Sequence, residues 1–105
     1  MKTKVNKKYK VAELDELPLQ EGWVVTVADE EIVLFSLTGG DVRAVENLCP
    51  KGGPIAEGIV SGEYVFTPLY DWKISLIDGK VQAPDTGSIK TYQVEIADGN
   101  VYLYL

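Results

Sequence analysis

The sequence predicts an all-β domain, built as a sandwich or a partly open barrel. Glycine and proline interrupt the chain at short intervals, so the segments between them are too short for ordinary helices. These segments are rich in valine, isoleucine and tyrosine, which favour extended backbone. Several of them alternate polar and apolar side chains, as strands with one buried face do. The length of 105 residues suits a single domain spanning residues 1–105.

The N-terminal region concentrates positive charge. Five of the ten lysine and arginine residues lie within the first ten positions. We expect residues 1–8 to form a flexible, solvated basic tail and not a nucleic-acid-binding arm, because the run is short and has little aromatic interleaving. Residues 11–17 are expected to hold one helical turn, which Pro18 would end.

Three strands are predicted in the first half of the chain. Residues 23–27 and 31–36 are typical of a hairpin, with its turn near residues 29–30. Residues 41–46 alternate polar and apolar side chains and should bury one face.

The second half predicts shorter strands and two aspartate–glycine turns. Residues 64–66 and 73–76 are interpreted as short strands, with a turn at residues 78–79 after the second. A longer hairpin is predicted near the C-terminus from two strands and a turn, at residues 92–96, 101–105 and 98–99.

Outside the basic tail the chain is strongly acidic. Residues 11–105 hold five cations against all 16 aspartate and glutamate residues, which gives a formal charge of −11. Such a field repels the phosphate backbone of nucleic acids and favours a partner with a basic surface. No apolar run approaches the roughly 20 residues that cross a bilayer. We therefore expect neither a nucleic-acid partner nor a membrane partner.

Two residue counts restrict the chemistry. The chain has one cysteine, Cys49, and no histidine. A disulfide within the chain is therefore excluded, and a reducing, cytoplasmic setting fits best. The missing histidine removes the commonest metal ligand and the commonest general base at neutral pH. No catalytic residues are predicted.

Two proline-bearing loops carry the most information about function. They occupy residues 49–52 (CPKG) and 67–70 (TPLY), on either side of a short hairpin around residues 61–62. Glycine allows close approach of the backbone, and proline fixes its direction. Paired rigid loops at one end of a β scaffold are a typical place for a functional site.

These loops resemble the cluster-binding loops of a Rieske domain. Such a domain holds a [2Fe–2S] cluster between a Cys-x-His and a Cys-x-x-His loop, with two cysteines on one iron and two histidines on the other. The resemblance implies a Rieske-like fold of about ten short strands with both loops at one end. Of the ligand types only Cys49 remains, since Thr67 and Tyr70 replace the second cysteine and histidine. Lys51 stands at the first histidine position or follows its deletion.

The replaced ligands predict that this chain binds no cluster and no metal. Protonated lysine has no lone pair, and the hydroxyls of threonine and tyrosine are poor ligands for a cluster that needs thiolate and imidazole. One thiolate cannot hold two irons. The alternative function, a Rieske-type ferredoxin that transfers electrons in an oxygenase system, would need ligands that the chain lacks.

The flanking residues resemble the small subunit of assimilatory NAD(P)H-dependent nitrite reductase. The similar segments are residues 47–50, 52–62, 71–76, 82–87 and 90–92. The resemblance implies a large subunit that carries sirohaem, an iron–sulfur cluster and FAD and that reduces nitrite to ammonium. It also implies that the small subunit holds no cofactor and is needed for the complex. A free-standing protein-interaction β-module remains the other alternative.

The candidate partner interface lies at the loop end and comprises Lys51, Gly53, Pro54, Tyr70 and Trp72. Each candidate side chain also has a structural interpretation. Lys51 is more typical of a solvated loop lysine, and Trp72 is equally typical of a core beneath the loops. Tyr70 is expected to fill the space of the missing cluster, with Thr67 or a loop backbone group bonding its hydroxyl. Cys49 is interpreted as a small buried apolar side chain and not as a reactive thiol.

Overall fold

A computed structural model describes residues 7–105 as an all-β structure. Within that range it contains nine strands, one 3-10 helix at Leu14–Glu16 and no α-helix. The strands in chain order are β1 (Lys8–Glu13), β2 (Gly22–Val27), β3 (Glu30–Ser36), β4 (Val42–Glu46), β5 (Ile59–Ser61), β6 (Tyr64–Phe66), β7 (Lys73–Ser75), β8 (Thr91–Ala97) and β9 (Asn100–Tyr104). The predicted fold class is thereby confirmed.

The N-terminal segment differs from the prediction. Lys8, assigned to the tail, is the first residue of β1, which pairs antiparallel with β9. The expected helical turn shrinks to the 3-10 helix, where Glu13 and Glu16 form a capping box. The reason is tertiary, because β9 offers β1 a row of backbone partners that no local pattern reveals. Lys7 of the predicted tail is also bonded, through backbone hydrogen bonds of 2.9 and 3.0 Å with Leu105. Residues 1–6 lie outside the described residues.

The strands form two antiparallel sheets. The larger has six strands in the order β1-β9-β8-β4-β3-β2, and its edge strands β1 and β2 contact one another. This sheet is therefore curled into a nearly closed barrel. The smaller has three strands in the order β5-β6-β7. No helix in the described part of the chain is long and apolar enough to cross a membrane.

Strand β3 divides the core into two clusters. Ile32 and Leu34 face the interior of the curled sheet, in one cluster with Val101 and Leu103. Val33 and Phe35 alternate with them and belong to a second cluster. That cluster joins the larger sheet to the smaller one through Val65, Ile74 and Leu76. Because β3 is buried on both faces, its sequence is a continuous apolar run without the usual alternation.

The chain order places both proline-bearing loops at one end. A first loop, residues 47–58, leads from β4 to β5, and a second loop, residues 67–72, leads from β6 to β7. In the β5–β6 hairpin Ile59 pairs with Phe66, so the end of the first loop lies beside the start of the second. The two loops together are called the loop end below.

Candidate functional site

The first loop is held by one side chain, Asn47. Its Oδ1 accepts hydrogen bonds from the backbone N–H groups of Ile55 and Ala56, each at 2.8 Å. Its Nδ2 donates to Glu31 Oε1 at 3.1 Å. Within the loop the N–H of Cys49 donates to the carbonyl of Gly53 at 2.9 Å. The tip of the first loop is therefore a closed turn. Asn47, which directly follows β4, holds the backbone at Ile55 and Ala56, where the chain leaves this turn.

Replacing Asn47 by alanine is expected to loosen the first loop and to lower the free energy of unfolding by about 1–3 kcal/mol. Two half-buried backbone donors would lose their acceptor. Amide hydrogen exchange of Ile55 and Ala56, followed by NMR, measures the loosening. Asn47→Asp keeps the acceptor oxygen but loses the bond to Glu31, so both amides should exchange more slowly than in the alanine variant. Equal protection in the alanine variant and the native chain would refute this role of Asn47.

The second loop closes on Thr67, which is buried. The Thr67 N–H donates to the carbonyl of Trp72 at 2.9 Å, and the N–H of Trp72 donates to Thr67 Oγ1 at 3.0 Å. The N–H of Asp71 donates to the Thr67 carbonyl at 3.1 Å, and Asp71 itself has a φ of 57°. The threonine hydroxyl thus serves as a structural acceptor at the base of the loop.

The two loops touch at their tips. Gly53 has a φ of +86°, which favours glycine, and a Cβ atom there would lie 2.7 Å from Leu69 Cδ1. The ammonium of Lys51 lies 5.6 Å from the ring centroid of Tyr70. A cation–π contact at an exposed site contributes about 0.5–1 kcal/mol. It links the loops across the positions that the resemblance assigns to histidine ligands.

The residues at the four ligand positions do not fit a [2Fe–2S] cluster. Cys49 and Thr67 are buried at the bases of the loops, whereas Lys51 and Tyr70 are exposed at the tips. A Rieske cluster needs two thiolates and two imidazoles. Here one thiol is present, and the Thr67 hydroxyl already accepts the N–H of Trp72. Among residues 7–105 no group of three or more histidine, cysteine, aspartate or glutamate side chains is arranged to hold a metal ion.

We expect the protein, purified without oxygen, to be colourless and to contain less than stoichiometric iron, because the donor set cannot satisfy two irons. Visible absorption spectra and iron and sulfide assays measure this directly. A red-brown preparation with two irons per chain would contradict the argument from ligand chemistry.

The structure distinguishes between the interpretations of Tyr70 and Trp72. Tyr70 is 48% exposed, so it does not fill the space of a cluster. Cys49 and Ile55 belong to a buried core cluster, and Tyr70 is not part of it. Trp72 is half-buried and packs against the same cluster, which agrees with its interpretation as a core residue.

Sequence reasoning missed two exposed leucines at the loop end. Leu48 is 57% exposed and Leu69 is 64% exposed. A large aliphatic side chain within a loop of glycine, proline and polar residues is itself a signal, and both leucines have such neighbours. Of the residues predicted for the interface, Lys51 and Pro54 are exposed and Gly53 is half-buried.

An acidic cleft borders the first loop. Its volume is about 350 Å³, and its walls are Glu30, Glu31, Glu46, Asn47, Leu48 and Tyr92. The hydroxyl of Tyr92 donates to Glu30 Oε1 at 2.5 Å, and Lys90 Nζ lies 3.1 Å from the same oxygen. The backbone N–H of Lys90 donates to Glu46 Oε1 at 2.8 Å. Burial, followed by the hydrogen bond to Glu30, raises the pKa of Tyr92 well above its usual value.

The raised pKa of Tyr92 predicts a loss of stability at alkaline pH. Its contribution is complete below the unfolded-state pKa of 10.0 and declines as pH rises towards the folded-state value. Thermal unfolding between pH 9 and pH 12 measures the decline, which Tyr92→Phe should reduce. The hydrogen bond to Glu95 also raises the pKa of Tyr104, so some decline should remain in the variant. Identical pH profiles of variant and native chain would refute the assignment.

Comparisons with known proteins agree with this geometry. Residues 8–104 match the family model described as a Rieske-like [2Fe–2S] domain. A crystal structure described as the small subunit of an NADPH nitrite reductase is 30% identical, with a TM-score of 0.83 over 92% of this chain and 97% of that one. The structure of an NADH-dependent nitrite reductase small subunit from Mycobacterium tuberculosis is 24% identical, covers 97% of both chains and has a TM-score of 0.88, which shows the shared fold.

A third relative is a much longer protein. The NAD(P)H nitrite reductase large subunit of Klebsiella oxytoca is 28% identical over 99 residues, which is 89% of this chain. The match spans only 10% of that protein's length. The family match over residues 8–104 and the 30% identical small subunit confirm the resemblance to a Rieske-like domain that was found in the sequence. The loop geometry and the altered ligand positions agree with it. The chain belongs to the Rieske-like [2Fe–2S] domain family and is a homologue of nitrite reductase small subunits.

Proposed function

We propose that this chain is the non-redox small subunit of a cytoplasmic, assimilatory nitrite reductase. It would support the NAD(P)H-dependent reduction of nitrite to ammonium by a large subunit that carries sirohaem, FAD and an iron–sulfur cluster. One observation carries the proposal. Hydrogen bonds hold both loops of the loop end, while Lys51, Thr67 and Tyr70 occupy positions where a cluster would need ligands.

The Klebsiella relative supports a physical association with such a large subunit. The segment similar to this chain belongs there to a polypeptide named as the large subunit. Covalent attachment holds two domains at a high effective concentration. A separate chain of the same kind must bind the large subunit non-covalently. The proposal therefore requires a docking interface on this chain.

A subunit without a redox group can affect the reaction only through binding. It raises the rate if it binds the active conformation of the large subunit more tightly than the inactive one. The gain is limited by the difference between these two binding free energies. The proposal therefore assigns no electron, proton or substrate transfer to the residues of this chain.

The loop end is the surface proposed for docking. Lys51, Pro54 and Tyr70 are exposed there, and Gly53 allows the two tips to meet. Trp72 supports these residues from below because it packs against the core. The hydrogen bonds of the two loops fix their shape before binding, which lowers the entropic cost of association.

Reconstitution with the large subunit of the same organism tests the proposal. Nitrite-dependent oxidation of NADH and NADPH is measured with the large subunit alone and with increasing amounts of this chain. We expect activity to rise and to saturate at a fixed ratio of the two chains. Full activity of the large subunit alone, together with no binding in co-purification, would overturn the proposal.

A further inference from the structure

Large exposed apolar side chains lie on both loops of the loop end. Leu48 is on the first loop, and Leu69 and Tyr70 are on the second. Leu69 lies against Gly53, and the carbonyl of Gly53 accepts the N–H of Cys49, the residue that follows Leu48. Exposed apolar patches on a small protein mark surfaces that bind partners.

These side chains stand on fixed backbone. Asn47 holds the return path of the first loop through two hydrogen bonds of 2.8 Å. Thr67 holds the second loop through its backbone and its hydroxyl. Hydrogen bonds therefore hold the backbone next to Leu48 and Leu69, whose side chains are more than half exposed.

The acidic cleft continues this apolar surface on one side. Leu48 forms one of its walls, and the carboxylates of Glu30, Glu31 and Glu46 form others. Glu30 is engaged by Tyr92 and Lys90, and Glu46 by the backbone of Lys90. One cation among three carboxylates leaves the cleft negative, in a chain whose net charge is −6. Charge complementarity therefore requires a basic group opposite the cleft.

We propose that the docking surface runs from Tyr70 and Leu69 across Leu48 into the acidic cleft, and that its occupant is a protein surface with a matching apolar patch beside a lysine or arginine. This inference rests on the proposed function and describes the contact face of the large subunit by its chemistry. It extends the predicted interface from Lys51 and its neighbours to the two leucines and to the carboxylates.

The two parts of the surface have different kinetic roles. Burial of the leucines removes apolar area from water and slows dissociation. The carboxylates steer a basic partner towards the surface and speed association, in a manner that salt screens. The proposal thus assigns residence time to Leu48 and Leu69, and salt-dependent association to Glu31 and Glu46.

Biosensor binding to the immobilised large subunit tests the apolar part. Leu48→Ala and Leu69→Ala should each weaken binding by about tenfold, mainly through faster dissociation. Ile96→Ala is the matched control, because Ile96 is 40% exposed and lies towards the other end of β8 from the cleft residue Tyr92. The control should bind as the native chain does. Leucine variants that also bind like the native chain would overturn the inference.

A pair of isosteric double variants tests the acidic part. Glu31→Gln with Glu46→Gln keeps both hydrogen-bond acceptors and removes two charges. It should slow association by about three- to tenfold at low ionic strength and flatten the salt dependence. Glu63→Gln with Asp98→Asn removes the same charge at exposed turns outside the loop end. Equal effects of the two double variants would show a general charge effect and overturn the cleft as a contact.

The outcomes separate this inference from the proposed function. Binding and activation that survive all loop-end variants would keep the nitrite reductase role and overturn the surface described here. No binding of the native chain to the large subunit would overturn both. A circular dichroism spectrum of each variant identifies any loss of folding, and Leu48→Ala alone decides the apolar part if Leu69→Ala disturbs the contact with Gly53.

Discussion

Replacing Phe35 by alanine is expected to lower the free energy of unfolding by about 3–5 kcal/mol. Phe35 is fully buried on β3, on the face that joins the larger sheet to the smaller one. Its removal would leave a cavity between the two sheets, and the side chains around it come from several strands that cannot all move inward. The same cluster contains Cys49 and Ile55, so the base of the first loop should loosen as well.

Urea denaturation, followed by tryptophan fluorescence, measures how much Phe35→Ala lowers the free energy of unfolding. Ile59→Ala is the control, because Ile59 is 72% exposed and its truncation should change stability by less than about 0.5 kcal/mol. An effect of Phe35→Ala no larger than that of the control would show that the second core cluster does not hold the sheets together.

Replacing Gly79 by alanine is expected to destabilise the protein by about 2–5 kcal/mol, from backbone strain and overpacking together. Gly79 has a φ of +76°, a conformation that disfavours a side chain. A Cβ at this position would also collide with the backbone carbonyl of Ile89. The N–H of Ile89 donates to the Gly79 carbonyl at 2.8 Å, so the two segments are already bonded and cannot separate cheaply.

Gly99 provides a control within the same chain. It also follows an aspartate and has the same φ of +76°, but a Cβ there would meet no atom within 4 Å. Gly99→Ala should cost only the conformational part, about 1–2 kcal/mol. The difference in unfolding free energy between the two variants measures the collision at Gly79. Equal losses would show that Ile89 moves aside without cost.

The strands whose signals are local were predicted well. The C-terminal hairpin combines an alternating pattern with an aspartate–glycine turn, and the structure places β8 and β9 around that turn. The pairs β2–β3 and β5–β6 likewise form hairpins where the sequence places them. In each case neighbouring residues determine both the strands and their partner, so no distant part of the chain is needed.

Strand β1 was not predicted because its cause is distant. Residues 8–13 become a strand through pairing with β9, about 90 positions away along the chain. Contacts between distant segments also limited the prediction of the loop end. The residues Cys49, Lys51, Thr67 and Tyr70 resemble a Rieske-like site, but no local pattern showed that Tyr70 is exposed and Cys49 buried.

The sequence by itself determined the fold class, the two proline-bearing loops and the mismatch between the residues present and a [2Fe–2S] cluster. These follow from residue types and short spacings, which carry their chemistry in any context. Only the tertiary structure decided which loop side chains face solvent, how Asn47 fixes the first loop and where the carboxylates of β3 and β4 form a cleft with Leu48. Those features arise from contacts between segments far apart in the chain, and their geometry is set by packing and not by local pattern.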